Sequence, residues 1–469
     1  MSTATLIPHK EGVYFARPEQ GISLAEILSA LSFALDLTEG AVPGHALRSC
    51  LLGMRLGTEL GLTEAEKSSI YYALLLKDVG CSSNAARLCQ IIGGGDERRA
   101  KSGVKLEDWT RPGKPKLSTL RLMWTTVFPD AGPLRRVAAI VTIGMTQHRN
   151  NEEMITLRCD RGAHILRKLG MGEVAAEAVR GLDEHWDGSG YPERRVGEAI
   201  PIGSRILAIA QHLDVFATEQ GTSQAMDVLR ERSGRWFDPE LVRIAEALNK
   251  DARLWSHARP NSPEEETRAE VLSLAPGEEE KLAAADIDLI CEAFADVVDA
   301  KSSFTFRHSL GVTDAAQGIA AELGLSKERR KVVQRAALLH DLGKLRVPNS
   351  ILDKPGKLDA EEWRVVQDHP RLTREILSRI GSFGELAVIA GAHHEKLDGT
   401  GYPNHLTAAE LCLESRIIAV ADIYGALAED RPYRPGMPTE QIIDIMSRDI
   451  PNKLDPECFE ALLRCIASR

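Results

Sequence analysis

The chain has 469 residues, enough for two to four domains of roughly 100–200 residues each. Its 43% apolar and 27% charged residues are ordinary for a globular protein and argue against general disorder. The net charge of −10 disfavours duplex nucleic acid or an anionic membrane as the main partner. No apolar run approaches the roughly 18 residues of a membrane span, and the first residues lack a secretory signal pattern. Because the eight cysteines form no CxxC pair, we expect reduced thiols in a cytoplasmic protein.

Helical spacing of apolar residues dominates the chain. Ser23 precedes an apolar run with three- and four-residue steps, and Glu26 stands three positions later, as in a capping box. The same spacing recurs at His45–Leu60, Glu64–Leu76, Ala163–Leu169, Pro239–Leu248, Asp286–Val298, Ala315–Leu323, Glu328–Leu339 and Thr439–Met446. Alternating Val, Ile and Thr, which is typical of strands, is scarce. The pattern predicts an all-α fold.

The sequence also contains a duplication. His45 and Asp78 recur, with the same spacing between them, as His308 and Asp341. The DGSGYP loop at 187–192 recurs as DGTGYP at 398–403, and the Asp-Pro pair at 238–239 recurs at 455–456. The landmarks keep one order, and the stretch before the loop is longer in the first copy. We therefore predict two related helical domains, with extra residues in the first.

The duplication predicts domain boundaries. We expect tandem helical bundles at residues 1–248 and 285–469, joined by a polar linker at 249–284 that is rich in Pro, Glu, Ser and Arg. The first bundle is expected to carry an insertion at about residues 82–135, clearest in the Gly/Lys/Pro-rich part at 93–115.

The second copy concentrates imidazole and carboxylate groups beside apolar helix surfaces. These groups are His308, His340, Asp341, His369, His393, His394 and Asp422. Each one alone can be a hydrogen-bonded buried residue, and a lone histidine usually is. Together in one small bundle they are better explained as metal ligands.

The ligand set predicts metal-dependent phosphate chemistry. Mixed imidazole and carboxylate ligands suit iron, manganese, zinc or nickel, and the set is larger than one ion uses. Two ions bridged by Asp341 would generate hydroxide at neutral pH and hold phosphate oxygens during in-line displacement. Lys344 can add a positive charge on the phosphate. The residues therefore indicate a metal-dependent phosphohydrolase, with Asp341 and Lys344 as its catalytic residues.

The motifs of the second copy resemble the HD-GYP family. The matching residues are His308, HDLGK at 340–344, His369-Pro370, HHEKLDGTGYP at 393–403, Arg416, Asp422 and RPYR at 431–434. The resemblance covers about residues 285–469 and, through the duplication, implies that both predicted bundles are HD-type helical bundles. It implies an all-helical bacterial phosphodiesterase that opens a cyclic dinucleotide, cyclic di-GMP or cyclic GMP-AMP, to the linear dinucleotide or to mononucleotides in second-messenger signalling.

The resemblance also implies roles for single residues. One metal would be held by His308, His340, Asp341 and Asp422, and the other by Asp341, His369, His393 and His394. Lys344 would hold the scissile phosphate. Gly401, Tyr402 and Pro403 would shape the guanine-side pocket. Arg431 and Arg434 would contact phosphate or base, although a solvated charged turn remains an alternative for both.

Several residues depart from the family pattern. Phe304 stands where some members have a Glu that permits a third metal, so we expect two. Gly425 stands where the family usually has an Asp, which predicts slow turnover or an altered substrate preference. His405, Ala408 and Cys412 replace the usual Gly, Gly and Pro after the GYP loop, so this loop is expected to differ in shape.

The first copy lacks most of the ligands. It keeps His45 and Asp78, but Lys77 stands at the position of the HD histidine. The other ligand positions hold Leu182-Asp183, Gln211 and, nearby, Arg158. One His and one Asp cannot hold a metal pair. We expect a regulator, homodimer partner or packing scaffold, in which the DGSGYP loop is inherited structure or a retained nucleotide contact.

Two other functions stay open at this point. A non-catalytic receptor would bind the cyclic dinucleotide and signal to protein partners through the first copy. Another HD-superfamily hydrolase would act on nucleoside triphosphates or guanosine alarmones. The preferred cyclic dinucleotide, the final product, the native metal and the input signal are not determined by the sequence.

Overall fold

The structure, a computed structural model, describes residues 7–9, 12–14, 22–40, 42–106, 108, 117–277, 282–302, 307–430 and 435–468. These residues are mainly helical, as the sequence predicts, and form two compact units. The first unit is Ser23–Lys281. The second is Leu282–Arg469 together with the described residues of Met1–Ile22, a segment that the sequence analysis assigned to the first bundle.

The helices of the first unit are α1 (Leu24–Glu39), α2 (His45–Glu59), α3 (Glu64–Leu76), α4 (Ala85–Ile92), α5 (Glu97–Leu106), α6 (Leu117–Thr126), α7 (Pro133–Lys168), α8 (Gly172–Arg180), α9 (Ile202–Gln220), α10 (Thr222–Glu231), α11 (Pro239–Lys250) and α12 (Glu264–Ser273). The apolar face that predicted α2 is its buried face, since Leu51, Leu52 and Leu56 are fully buried. α1 begins at the predicted Ser23, whose hydroxyl accepts a hydrogen bond from the Glu26 N–H.

The helices of the second unit are α13 (Ala284–Asp299), α14 (His308–Glu322), α15 (Lys327–Leu339), α16 (Asn349–Leu352), α17 (Ala360–Gln367), α18 (His369–Ser378), α19 (Gly384–Gly391), α20 (Leu413–Ala428), α21 (Thr439–Ser447) and α22 (Pro456–Ala467). A short antiparallel pair of strands, β1 (Ile7–His9) and β2 (Gly12–Tyr14), also belongs to this unit. The core of the unit includes Phe294 and Val333, which are fully buried.

The duplication is visible in the helices. α2 and α14 begin at the paired landmarks His45 and His308, and α11 and α22 begin at the prolines of the two Asp-Pro pairs, Pro239 and Pro456. α9 and α20 follow the two GYP loops at the same spacing. Corresponding helices therefore carry the corresponding landmarks in both units.

Helices form in both the expected linker and the expected insertion of the first bundle. Residues 249–277, expected to be a linker, belong to the first unit. They include α12, whose Val271 is fully buried and accepts a hydrogen bond from the Tyr71 hydroxyl at its carbonyl. The polar composition that predicted a linker comes partly from the exposed side of this helix, which carries Glu265 and Glu266. The described part of the expected insertion contains α4, α5, α6 and the start of α7.

None of the described helices is both long enough and apolar enough to cross a membrane.

Candidate metal centre

His340 and Asp341 lie where α15 ends and the 3₁₀ turn Leu342–Arg346 begins. The apolar end of α15 carries both inside, so that His340 is 0% and Asp341 is 2% exposed. A Cβ atom at Gly343 would lie 2.1 Å from the carbonyl oxygen of His369. Glycine therefore lets this turn pack against the start of α18 and brings Asp341 close to His369.

Other helices supply the remaining predicted ligands. His308 and His369 are the first residues of α14 and α18. His393 and His394 follow the end of α19, and Asp422 lies on the buried face of α20. The side chain of His394 is 24% exposed, whereas the others are buried. The structure thus brings all the predicted metal ligands to one place.

Asp341 lies between two pairs of imidazoles. Its Oδ1 is 3.2 Å from His369 Nε2 and 3.7 Å from His393 Nε2. Its Oδ2 is 3.3 Å from His340 Nε2 and 3.6 Å from His308 Nε2. Because each carboxylate oxygen faces a different pair, Asp341 has the geometry of a bridging ligand.

Asp422 completes the pair formed by His308 and His340. Its Oδ1 lies 3.3 Å from His308 Nε2 and 3.7 Å from His340 Nε2, and its Oδ2 lies 3.7 Å from His394 Nδ1. Within the described residues, the sets of possible ligand atoms that lie within 4.8 Å of one another are His308/His340/Asp422, His340/Asp341/His393 and His369/His393/His394.

Hydrogen bonds at the outer side of each ring fix its orientation. The Nδ1 atoms of His340, His369 and His393 each lie 2.6 Å from the carbonyl oxygen of the residue three positions earlier. A carbonyl oxygen only accepts, so Nδ1 carries the proton. Each Nε2 therefore points into the centre, which is the arrangement of a metal-binding histidine.

Several buried polar atoms on the inner side of the centre lack a hydrogen-bond partner. His308 Nε2, His340 Nε2 and Asp341 Oδ1 are buried and have no hydrogen-bond partner. His369 Nε2 and His393 Nε2 face each other at 3.1 Å, although both rings carry their proton on Nδ1. Buried polar atoms without a hydrogen-bond partner are costly, and a cation bound between them removes the cost. The donor set fits divalent transition metals.

The charges of the centre also suit a cation. Burial raises the pKa of Asp341 and Asp422, but neighbouring histidines outweigh it, with Lys344 adding to the effect on Asp341, and hold both values well below the usual range. Burial lowers the pKa of His394 to about 3, so this ring is neutral at physiological pH. For His340, Asp341 and Asp422 outweigh burial and raise the pKa to about 10. A metal ion would displace that proton.

A cleft of about 950 Å³ opens beside the centre. Asp341, His394 and Asp422 line its inner end. Lys344 also lines it, with Nζ 2.5 Å from Asp341 Oδ2. The rest of the wall includes Lys354, Lys357, Leu358, Trp363 and Tyr402. Cations, aromatic rings and apolar side chains therefore share one cleft, whose size lies within the range of small-molecule sites.

The loop at residues 401–403 forms part of this wall. The Tyr402 ring lies 4.8 Å from the His394 ring and 6.2 Å from the Trp363 ring, measured between centroids. Glu395 anchors the loop by accepting hydrogen bonds from the N–H groups of Asn404 and Leu406. Gly401 and Pro403 flank Tyr402 within this loop, whereas Arg431, Arg434 and Phe304 lie outside the described residues.

Sequence reasoning missed two residues of this region. Trp363 is 45% exposed on α17 and lines the cleft, and a large aromatic residue directly after Glu361 and Glu362 was the available signal. Glu429 accepts a hydrogen bond from His308 Nδ1 at 2.8 Å. No motif marks Glu429, because its role depends on where α20 ends.

Comparison with known families gives a clear match. A family model described as HD domain matches residues 137–241 and 292–458, which together exceed half of the chain. The chain belongs to the HD domain family. Both units contain a part of the match, in agreement with the duplication.

Individual relatives show which members of the family this chain is similar to. The chain is 42% identical over 448 residues to "3'3'-cGAMP-specific phosphodiesterase 3" of Vibrio cholerae, and the match covers 94% of each protein. It is 42% identical over 150 residues to "Cyclic di-GMP phosphodiesterase response regulator RpfG" of Xanthomonas campestris, covering 31% of this chain and 39% of RpfG. The crystal structure of the cyclic GMP-AMP specific phosphodiesterase V-cGAP3 of V. cholerae superposes with a TM-score of 0.65 at 38% identity, covering 95% and 98% of the two chains. The predicted resemblance to HD-GYP phosphodiesterases is confirmed.

The HD landmarks of the first unit carry a different set of contacts. Asp78 forms an ion pair with Lys77, whose side chain is fully buried. Asp214 accepts hydrogen bonds from His45 Nδ1 at 2.6 Å and from Arg48 Nε at 2.5 Å. Basic side chains of the protein thus neutralise the carboxylates that remain.

In the first unit, the cavity at the positions that correspond to the metal centre is small. It has a volume of about 110 Å³ and is lined in part by Arg158, Asp183, His185 and Gln211. Arg158 and Asp183 form an ion pair across it. The cavity is well below the roughly 300 Å³ of the smallest usual ligand pockets.

Proposed function

We propose that this protein is a metal-dependent phosphodiesterase that hydrolyses a cyclic dinucleotide. The observation that carries the proposal is the set of inward-facing Nε2 atoms around Asp341, at the inner end of a cleft lined by lysines and aromatic rings. Metal ligands, phosphate-binding cations and base-stacking surfaces are the three components that cleavage of a cyclic dinucleotide requires.

We assign two divalent metal ions to the centre. One would be held by His308, His340, Asp341 and Asp422, and the other by Asp341, His369, His393 and His394. We favour iron or manganese, while nickel and zinc also suit these ligands. Bound there, the ions would neutralise phosphate charge and make water acidic enough to supply hydroxide at neutral pH.

The side chains of the cleft would hold the substrate. Lys344 lies beside Asp341, so that its ammonium can contact the scissile phosphate. Tyr402 and Trp363 present ring surfaces for the bases. Lys354 and Lys357 would contact the second phosphate. Gly401 and Pro403 would shape the base pocket, and contacts from Arg431 and Arg434 stay predictions.

The relatives favour one substrate. A relative that matches nearly the whole chain is named for 3'3'-cGAMP, and so are two relatives that match shorter parts. The relatives named for cyclic di-GMP, such as RpfG, match shorter parts. We therefore expect 3'3'-cyclic GMP-AMP to be hydrolysed faster than cyclic di-GMP. The product would be the linear dinucleotide, the mononucleotides or both.

Product analysis of the full chain tests the proposal. Protein loaded with Mn²⁺ or Fe²⁺ is offered the two cyclic dinucleotides in parallel, and metal per chain is counted. About two metals per chain with linear or mononucleotide products supports the proposal. Metal uptake with substrate binding but no turnover would favour the receptor alternative, and absence of metal would overturn the proposal. Nucleoside triphosphates and guanosine alarmones serve as control substrates.

Further roles of the first unit stay predictions. Homodimerisation, or contact with a signalling protein through this unit, agrees with its small cavity and its neutralised carboxylates.

A further inference from the structure

The imidazole of His308 faces a carboxylate at each of its two nitrogens, and both carboxylates come from α20 or the residue that follows it. Asp422 Oδ1 lies 3.3 Å from Nε2, and Glu429 Oε2 accepts a hydrogen bond from Nδ1 at 2.8 Å. Asp422 belongs to α20, and Glu429 is the residue that follows its last turn. Because Glu429 stands seven positions after Asp422, about two helical turns, both lie on the same side of the helix. The hydrogen bond to Glu429 therefore fixes the ring at Nδ1 and leaves Nε2 facing Asp422.

The first HD segment holds its equivalent histidine differently. His45 Nδ1 lies 2.6 Å from Asp214 Oδ2, and Arg48 binds the same carboxylate. At the intervals of the duplication, Asp214 corresponds to Gly425 and Arg48 corresponds to Gly311. The second segment therefore has neither the carboxylate nor its arginine partner at these positions.

Gly311 leaves the space in which the Glu429 carboxylate lies, and Gly425 leaves open the space beside His308 Nδ1. A Cβ atom at Gly311 would be 3.7 Å from Glu429 Oε1, and one at Gly425 would be 3.9 Å from His308 Nδ1. A carboxylate on residue 425 could thus reach the same nitrogen. The carboxylate that faces Nδ1 comes from the end of α20 in the second segment and from the middle of α9 in the first.

We propose that Glu429 is a positioning residue for His308, replacing the carboxylate that Gly425 does not provide. Glu429 fixes the Nδ1 proton and the ring plane, so that Nε2 faces Asp341 and Asp422. This inference rests on the proposed metal centre. Loss of Glu429 is expected to weaken the metal site of His308 and to spare the site of His369, His393 and His394, because the Nδ1 atoms of His369 and His393 donate to backbone carbonyls and not to Glu429.

Metal binding by the full chain, without substrate, tests this role. Metal-free protein is titrated with Mn²⁺ against a chelating indicator, and metal per chain is counted. In Glu429→Ala, we expect one of the two sites to weaken about 10–100-fold, the usual effect of losing an outer-sphere partner. Glu429→Gln keeps an acceptor oxygen and should retain most of the affinity. Glu440→Ala, on the exposed start of α21, is the matched control and should bind metal as the unmodified protein does.

A relocated carboxylate gives the decisive comparison. Gly425→Asp combined with Glu429→Ala should recover affinity, provided that Val312 moves slightly, because its Cγ2 would lie 3.1 Å from the new Cβ.

Unchanged affinity in Glu429→Ala, equal weakening of both sites, or a folded double variant without recovery would overturn the role. If the double variant does not fold, stronger binding by Glu429→Gln than by Glu429→Ala supports the role, and equal weakening overturns it. A protein that takes up no metal overturns this inference and the proposed function together, whereas normal metal uptake and turnover in Glu429→Ala overturns this inference alone.

Discussion

Lys344 lies between the metal centre and the cleft. Its side chain is 17% exposed, and its ammonium is 2.5 Å from Asp341 Oδ2. A metal bound by Asp341 would compete for this carboxylate. The ammonium would then be free to turn toward a phosphate in the cleft without giving up a required structural contact.

We expect Lys344→Met to retain the metal and to lose activity. The kcat/KM for the cyclic dinucleotide should fall about 10²–10³-fold, as when one preorganised donor to a developing oxyanion is removed. Steady-state kinetics and metal counting on the same preparation measure both quantities. Lys331→Met, which removes a half-exposed lysine beside Asp288, is the control. If Lys344→Met also loses the metal, the lysine is needed to form the metal site and its effect on activity is indirect.

Asp36 of the first unit is a buried carboxyl group with an incomplete set of partners. Its Oδ1 accepts a hydrogen bond from the Ala46 N–H, whereas Oδ2 has no partner. Burial raises the pKa of Asp36 from 3.8 to about 7, because the charged form is poorly solvated. The folded protein then binds the proton more tightly than the unfolded chain does. Stability from this group is present at acidic pH and is lost as the pH rises through the pKa of the folded state.

We expect Asp36→Asn to stabilise the protein at alkaline pH. Asparagine keeps an acceptor for the Ala46 N–H and cannot ionise. Urea unfolding should show the variant to be more stable than the unmodified protein at about pH 8, with a smaller difference at about pH 5. Asp444→Asn, at an exposed position, should show no such trend. A difference that does not depend on pH would contradict the role of ionisation.

Single residues of the centre were predictable when they interrupt an apolar pattern. His340, Asp341 and Asp422 stand at the end of, or within, apolar helical runs, where a charged group needs a specific partner. Glu429 gives no such signal. Its carboxylate follows the last turn of α20, and it meets His308 only through the tertiary contact between the end of α20 and the start of α14.

At the scale of elements, the two GYP loops share one construction. Glu395 accepts hydrogen bonds from the N–H groups nine and eleven residues later, and Glu184 does the same in the first unit. A Cβ atom at Gly401 would lie 2.4 Å from a backbone nitrogen, and one at Gly190 would lie 2.3 Å from another. This shared construction is sufficient to explain why the first unit keeps the loop sequence.

We expect the matched variants Gly401→Ala and Gly190→Ala to differ in activity. Each places a methyl group against the backbone, which should cost about 1–3 kcal/mol of stability, as overpacking usually does. Gly401→Ala should also lower kcat/KM, because it displaces the loop that carries Tyr402. Calorimetry and kinetics on both variants separate the effects. An equal loss of activity in Gly190→Ala would show that the first loop takes part in the reaction.

The elements themselves were predictable where periodicity and caps agree. The spacing predicted Glu64–Leu76, and α3 has these bounds because Thr63 and Glu66 form a capping box. α12 was not predicted, because only Thr267 and Val271 of its residues are buried. A helix with so narrow a buried face leaves little periodic signal in the sequence.

At the scale of the whole molecule, duplication has produced one centre suited to metal and one with internal ion pairs. The sequence showed the two copies and the missing ligands. It did not show that residues 249–277 would fold onto the first unit, because this depends on tertiary contacts such as the hydrogen bond from Tyr71 to Val271. Nor did the sequence show that Lys77 would pair with the adjacent Asp78, since a lysine in a helix usually extends to solvent.

We expect Lys77 to stabilise the first unit without affecting metal binding by the second. Lys77→Met leaves the buried Asp78 without its ammonium partner and should lower the free energy of unfolding by about 3–5 kcal/mol. Combining it with Asp78→Asn removes both charges and should recover most of the loss. Denaturant unfolding measures the stability. The number of metal ions per chain and the turnover should equal those of the unmodified protein, because Lys77 has no part in the ligand sets of the second unit. Loss of metal or activity in folded Lys77→Met would show that the first unit controls the centre of the second. An unchanged unfolding free energy would mean that the pairing with Asp78 only offsets the cost of burying the Lys77 ammonium.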